Sequence, residues 1–218
     1  MAKGVQQMLR IEPRVQGVTA ELITLYSQLQ PSTLGHLTDF GFLRGIQPLF
    51  RPIRLLGNAV TVRIPHLDST AIRHALQQVM PGDVIVVDMS GDDFRACWGE
   101  FRTYVAMKKE VAGVVISGCA TDVKVIRALN FPVFATGTSA LTTRSLDMEG
   151  EVNTPISVCG VTVQPGDLII GDDDGVFAIH PDHAQILGEK ALAKQQQEEL
   201  NRIKYGYDLI QPYPLPEI

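Results

Sequence analysis

The chain has 218 residues, 45% hydrophobic and 20% charged, enough to pack one large domain without covalent staples. Its formal net charge of −5 argues against a binder of the nucleic-acid backbone, which needs a basic stripe. The lysines and arginines are scattered, and no apolar run is long enough to span a bilayer, so neither a membrane-surface helix nor a membrane span is expected. The three cysteines, Cys97, Cys119 and Cys159, stand too far apart for a disulfide framework or a paired metal motif, and read as small buried thiols of a reducing compartment. Met1 to Glu12 lacks an apolar signal core, so a cytoplasmic location is expected.

In chain order, Val18 to Leu29 carries Leu22, Ile23, Leu25, Tyr26 and Leu29 at helical spacing. Pro31 stops that helix, Ser32-Thr33 offers an N-cap for a second short one, and His36 falls at its start. Gly41, Gly45, Pro48 and Pro52 then break the chain into turns. Ala59 to Ile64 reads as a strand, Ser69-Thr70 as the cap of a helix to Met80, and Val84 to Asp88 as a second strand. A polar loop, Met89 to Phe94, leads to a helix over Gly99 to Glu110. Gly113 to Ser117 lacks polar alternation, which suits a parallel strand covered on both faces. Asp122 to Leu129 reads as a helix and Phe131 to Ala135 as a strand.

After Glu151 the pattern becomes antiparallel. Ile156 to Val163 alternates about Cys159-Gly160, and Asp173-Asp174-Gly175 between two apolar runs is a hairpin signal. Pro181 opens a polar helix to about Tyr205, and Pro212, Pro214 and Pro216 make an extended tail. A single α/β domain with a mixed sheet is predicted.

Two loops carry candidate chemistry. Gly118-Cys119-Ala120-Thr121-Asp122 leaves the carboxyl end of a buried strand, where open α/β sheets bind ligands. Gly118 permits close backbone approach, and Asp122 offers one hard oxygen suited to Mg²⁺ or Mn²⁺. The same Thr and Asp also read as ordinary helix-cap residues. Trp98-Gly99-Glu100-Phe101-Arg102 follows a neighbouring strand: Glu100 suits a base or a holder of metal-bound water, and Arg102 suits a carboxylate. The alternative for Glu100 is a first-turn acid that favours the helix dipole. His66, His74, His180 and His183 show no metal spacing, and Asp172-Asp173-Asp174-Gly175 reads as a turn.

An ordered set of blocks carries a resemblance across Pro31 to Ile179. They are Leu56 to Val62, Pro81 to Asp88, Ala96 to Glu100, Ala112 to Gly118, Phe131 to Ala135, Val152 to Ile156, Pro165 to Leu168 and Asp172 to Gly175. Together they resemble RraA-like proteins and the class II 4-hydroxy-4-methyl-2-oxoglutarate/4-carboxy-4-hydroxy-2-oxoadipate aldolases. The resemblance implies a swivelling β/β/α domain, with N-terminal helices over 1–55, a core over 56–180, and a C-terminal helix and tail over 181–218. It also implies homotrimers or hexamers with sites between subunits. In the aldolases an Arg-Asp pair follows the central strand; the Asp, which binds Mg²⁺ or Mn²⁺, falls on Asp122. The Arg position is Thr121 here. The family's acidic element falls on Gly99-Glu100, so that Glu100 holds the ion through water and the N–H groups of Phe101 and Arg102 receive pyruvate. His36 stands where many relatives carry Asp, and beside its helix-start reading it is a candidate substrate-binding residue that reaches a neighbouring subunit.

The activity implied is metal-dependent cleavage of a 2-oxo acid through a pyruvate enolate, with oxaloacetate decarboxylation as a companion activity and Glu100, Asp122 and Thr121 as catalytic positions. Thr121 lacks the charge of the family Arg, so Arg102 or Arg95 is expected to replace it, or the substrate differs. The alternative is a non-catalytic protein-binding regulator like RraA itself. A methyltransferase is disfavoured because no glycine-rich loop follows the first strand.

Overall fold

The computed structural model describes residues 8–206. In chain order its elements are β1 (Met8–Ile11), α1 (Ala20–Ser27), α2 (Pro31–Gly35), β2 (Gln47–Pro48), β3 (Arg54–Arg63), α3 (Thr70–Gln78), β4 (Asp83–Asp88), β5 (Ala96–Trp98), α4 (Glu100–Lys108), β6 (Gly113–Ala120), α5 (Val123–Ala128), β7 (Val133–Thr138), β8 (Glu149–Val152), β9 (Ile156–Val158), β10 (Val161–Val163), β11 (Leu168–Asp172), β12 (Gly175–Ile179) and α6 (Pro181–Lys204). The predicted proline-spaced tail at Pro212, Pro214 and Pro216 lies outside the described residues.

The apolar runs become a parallel core, β3-β4-β6-β7, because strands buried on both faces need no polar alternation. Every residue of β4 is buried. The sheet continues outward in the order β1-β8-β3-β4-β6-β7-β2. The β11–β12 hairpin lies antiparallel on β3, its two-residue turn being Asp173-Asp174. The β9–β10 hairpin forms a separate two-stranded sheet. A mixed central sheet flanked by helices is thus present, with the expected change to antiparallel pairing after Glu151.

Apolar spacing decides what covers the sheet. Ile72 and Ala75 of α3, Ala106 of α4 and Ile126 of α5 join one core cluster with β3, β4 and β6. Ile156, Val158 and Val163 of the β9–β10 hairpin join a second, with Ala59, Val84 and Val115. Leu22 and Tyr26 of α1, Leu34 of α2 and Ala184 and Ala191 of α6 close a third over the β11–β12 hairpin. Tyr26 is fully buried and its hydroxyl donates to the Ala184 carbonyl at 2.8 Å. Tyr26→Phe removes this bond while the carbonyl keeps its helical partner, and is expected to cost about 1 kcal/mol. A lower urea midpoint with unchanged slope would show it.

Helix starts differ from expectation where tertiary partners supply the cap. α2 begins at Pro31 itself, with Gln30 as N-cap, because Pro suits the first helical position. The Thr33 hydroxyl and Gln30 N–H turn instead to the Gln195 side chain of α6. His36 therefore ends α2 rather than starting a helix. Ser69 precedes α3 but does not cap it; the neighbouring Asp68 carboxylate accepts the Thr70 N–H at 3.0 Å. Four strands were not foreseen, β1, β2, β5 and β8, each of two to four residues. Such short segments carry no period of their own and are strands only because a neighbour pairs with them.

Candidate functional site

Three parallel strands end side by side. Ala120, the last residue of β6, pairs with Trp98 of β5 on one flank and Thr138 of β7 on the other. The segments leaving these ends therefore meet, and they include Gly99-Glu100 and Thr121-Asp122.

Asp122 has φ 55°, in the left-handed region that Asp tolerates better than most residues. It stands at the N-cap of α5, but its side chain makes no capping bond to that helix. Its Oδ2 instead accepts the Glu100 N–H at 2.8 Å, at the first turn of α4. The ordinary-cap reading of Asp122 therefore fails for its own helix; the carboxylate serves the neighbouring one. The Thr121 N–H donates to the Trp98 carbonyl at 2.8 Å, locking the two loops together. Gly99 lies in the crease between them. A Cβ there would sit 2.4 Å from Asp122 Oδ2 and 2.8 Å from Thr121 Cγ2, so any larger residue displaces one of these side chains.

Glu100 opens α4, as expected for a first-turn acid, and is half-buried, while Asp122 is exposed. The helix start is fixed from below. The Thr103 hydroxyl donates to the Gly99 carbonyl at 3.0 Å and accepts the buried Trp98 indole N–H at 3.0 Å. Trp98 in turn stacks on Phe131, with ring centroids 6.4 Å apart. The backbone N–H groups of Phe101 and Arg102 belong to the first helical turn, where no intrahelical acceptor exists. Thr103 was missed by sequence reasoning, and Trp98, although named in the candidate loop, was given no role, because a hydroxyl and an indole that meet inside the fold read simply as core.

Other expected contributors are elsewhere. Arg102 is turned inward: its guanidinium donates to the Cys97 carbonyl and, at 2.7 Å, to the Ser69 hydroxyl, and burial lowers its pKa. Arg95 is taken by Asp92 at 2.6 Å. Neither guanidinium is free to replace the charge absent at Thr121. The Asp92 carboxyl is opposed by burial, but the Arg95 side chain and the Arg95 and Phe94 N–H groups hold it below its usual range. His36 is near Glu198 of α6, whose carboxyl it helps to lower after Lys194, and no hydrogen bond joins it to Asp122. The bare Cα of Gly118 admits Met89 and the Asp92 carbonyl, not an open ligand position: a Cβ would meet them at 2.6 and 2.9 Å. Burial pushes the Cys97 thiol up to about 12, so it is not a thiolate.

A strap missed in the sequence crosses this end of the sheet between residues 139 and 149. The Ser139 N–H donates to Ala120, Leu141 accepts from Ala96, Thr143 donates to Ala96 and Arg144 donates to Leu67. Its far end is held by Asp68, whose carboxylate accepts the N–H groups of Leu146, Met148 and Glu149.

Two cavities are lined by other segments: one of about 210 Å³ between residues 31–44 and the β11–β12 hairpin, and one of about 1040 Å³ between residues 37–44, the β9–β10 turn and the first turns of α6. Among the described residues, no group of three or more His, Cys, Asp and Glu side chains could cage a metal. No described helix is long and apolar enough to cross a membrane.

Comparison with known proteins gives a consistent picture. A model of the RraA-like family, described as Aldolase/RraA, matches residues 31–178. A Halalkalibacterium halodurans protein named as a provisional 4-hydroxy-4-methyl-2-oxoglutarate aldolase is 39% identical over 154 residues, covering 71% of this chain and 73% of its own length. The crystal structure of Streptomyces coelicolor RraAS2, titled an unusual member of the RNase ES inhibitor RraA family, superposes with a TM-score of 0.77 at 28% identity, over 87% of this chain and 99% of that one. An uncharacterized Pseudomonas syringae protein superposes with a TM-score of 0.75 at 26% identity, over 94% and 95% of the two chains.

Proposed function

The chain belongs to the Aldolase/RraA family, and from that membership we propose that it is a divalent-metal-dependent carbon–carbon lyase acting on a 2-oxo acid. One observation carries the reading: Asp122 leaves its own helix uncapped and projects beside Glu100 and the start of α4. A structural cap alone would not require an exposed carboxylate with a second oxygen free of protein hydrogen bonds. Mg²⁺ or Mn²⁺ fits that sparse donor set, since such ions use one or two carboxylates and keep several waters.

Asp122 would hold the ion, with Glu100 completing the site through water. A bound ion would supply Lewis-acid polarisation of the substrate's 2-oxo group. The chain's own residues do the rest. The Phe101 and Arg102 N–H groups at the head of α4 receive the substrate's oxygen atoms, favoured by the helix dipole. In this reading Glu100 takes the proton from the distal hydroxyl as the carbon–carbon bond breaks. The Thr121 hydroxyl offers a hydrogen bond, not a charge, beside the same point. The reading includes a cytoplasmic homotrimer or hexamer with the site shared between copies. The exposed apolar side chains Phe94, before β5, and Phe101, Tyr104 and Met107 of α4 favour cover by a second chain. Light scattering is expected to give a multiple of three chains; a monomer would remove that part of the reading.

The test is pyruvate release from oxaloacetate and from 4-hydroxy-4-methyl-2-oxoglutarate, with Mn²⁺ affinity measured alongside. Asn at 122 keeps an acceptor for the Glu100 N–H and loses only the charge. Asp122→Asn is expected to weaken Mn²⁺ binding at least about tenfold and activity about 100-fold or more. Unchanged metal affinity and activity would sink the assignment. The second reading, a protein-binding regulator, is favoured by Thr121 and by the likeness to Streptomyces coelicolor RraAS2, a member of the RNase ES inhibitor RraA family. Full inactivity of the metal-loaded wild type would support it.

A further inference from the structure

A dicarboxylic 2-oxo acid at Asp122 and Glu100 brings a second carboxylate, and a carboxylate withdrawn from water needs a cation. Three arginines are carried by the segments around these strand ends. Arg95 is committed to Asp92, and Arg102 to the Cys97 carbonyl and Ser69. Arg144 is exposed, and its guanidinium has no partner among the described residues.

The backbone of Arg144 is fixed. Its N–H donates to Leu67 at 2.7 Å, and its carbonyl accepts from the Ser69 N–H at 2.8 Å and the Ser69 hydroxyl at 3.1 Å. Thr142 bridges Ala96 in parallel, and Arg144 bridges Asp68 in parallel. The strap thus borders β5 at Ala96, through the residue just before Arg144, while Ser69, which holds the Arg144 carbonyl, also accepts from Arg102 in the first turn of α4. Gly99 follows Trp98, and Asp122 lies against Gly99. A free guanidinium thus leaves a backbone-fixed strap that borders β5 and the head of α4, the two elements that lead into the site, so side-chain entropy is the main cost of its engagement.

We propose that Arg144 is the specificity-determining residue of the site, receiving the far carboxylate of a dicarboxylic 2-oxo acid. The assignment rests on the lyase reading above. A guanidinium fork meets a carboxylate with two parallel hydrogen bonds, which an ammonium cannot do.

The experiment compares retro-aldol cleavage of 4-hydroxy-4-methyl-2-oxoglutarate, a dicarboxylate, with that of 4-hydroxy-2-oxopentanoate, a monocarboxylate. Arg144→Ala is expected to lower kcat/KM for the dicarboxylate about 30-fold or more, chiefly through KM, and to leave the monocarboxylate within about threefold. Arg144→Lys should recover part of the loss. Lys124→Ala, which removes another unpaired cation near Asp122, should leave the preference unchanged. Equal losses on both substrates, no loss on either, or a preference that follows Lys124 overturns the role of Arg144 alone. Inactivity of the wild type on both overturns the lyase reading and this role with it. The contacts that hold position 144 are made by its backbone, so the variants keep them, and a matching Tm confirms it.

Discussion

Gly99→Ala should lower the proposed lyase activity by about 100-fold or more while the thermal midpoint moves only a few degrees. The added methyl group would fall 2.4 Å from Asp122 Oδ2 and 2.8 Å from Thr121 Cγ2, well inside contact distance. Something must shift, and the Asp122 carboxylate is the movable part: it is exposed, whereas Trp98 beneath Gly99 is fully packed. Pushing it away breaks its bond to the Glu100 N–H and separates the two halves of the site. Displacement of reacting groups by about 1 Å can cost 100-fold, which sets the scale. The backbone at Gly99 is extended, φ −155°, so no conformational strain confuses the result. Because both changes act on one carboxylate, Gly99→Ala in an Asp122→Asn background should add little further loss. Full activity in Gly99→Ala would show that Asp122 and Glu100 need not be adjacent, and the site would have to be sought elsewhere.

Asp68→Ala should cost about 3–5 kcal/mol of stability, as much as emptying a large core position. The Asp68 carboxylate is 3% exposed and accepts from the Thr70 N–H, the Thr70 hydroxyl and the N–H groups of Leu146, Met148 and Glu149. One side chain thus caps α3 and ties down the strap that carries Arg144. Alanine leaves those donors without an acceptor, and only those near the surface regain water. Asp68→Asn keeps acceptor oxygen and should cost less. Burial works against the charged form of Asp68, but the bonds from Thr70, Leu146 and Met148 outweigh it and hold the carboxyl down at about 2. The folded value lies below the unfolded one of about 3.9, so this stabilisation is complete above that pH and disappears as pH falls toward 2. Urea unfolding from pH 7 to pH 2.5 should show wild type losing more stability than Asp68→Ala over the acid limb. Parallel curves would mean that Asp68 is not the anchor.

The amino-acid sequence by itself determined the parallel core, because unbroken runs such as Val84 to Val87 and Gly113 to Ile116 have no polar face to give to water. It also determined the Asp173-Asp174 hairpin and the long α6, where turn chemistry and length are local. It marked Gly99-Glu100 and Asp122 as residues at strand ends. It did not determine that they touch, since that follows from the pairing of Trp98 and Ala120 across 22 residues of chain. Nor could it decide which carboxylate caps which helix: Asp122 serves α4 rather than α5, and Asp68 rather than Ser69 serves α3. A side-chain hydrogen bond chooses its partner by distance in space, and propensity counts only neighbours in sequence. The same reason separates the arginines. In the sequence Arg95, Arg102 and Arg144 are three equivalent cations; in the fold one is paired, one is buried, and one stands free on a strap whose register is set by strands far from it in the chain.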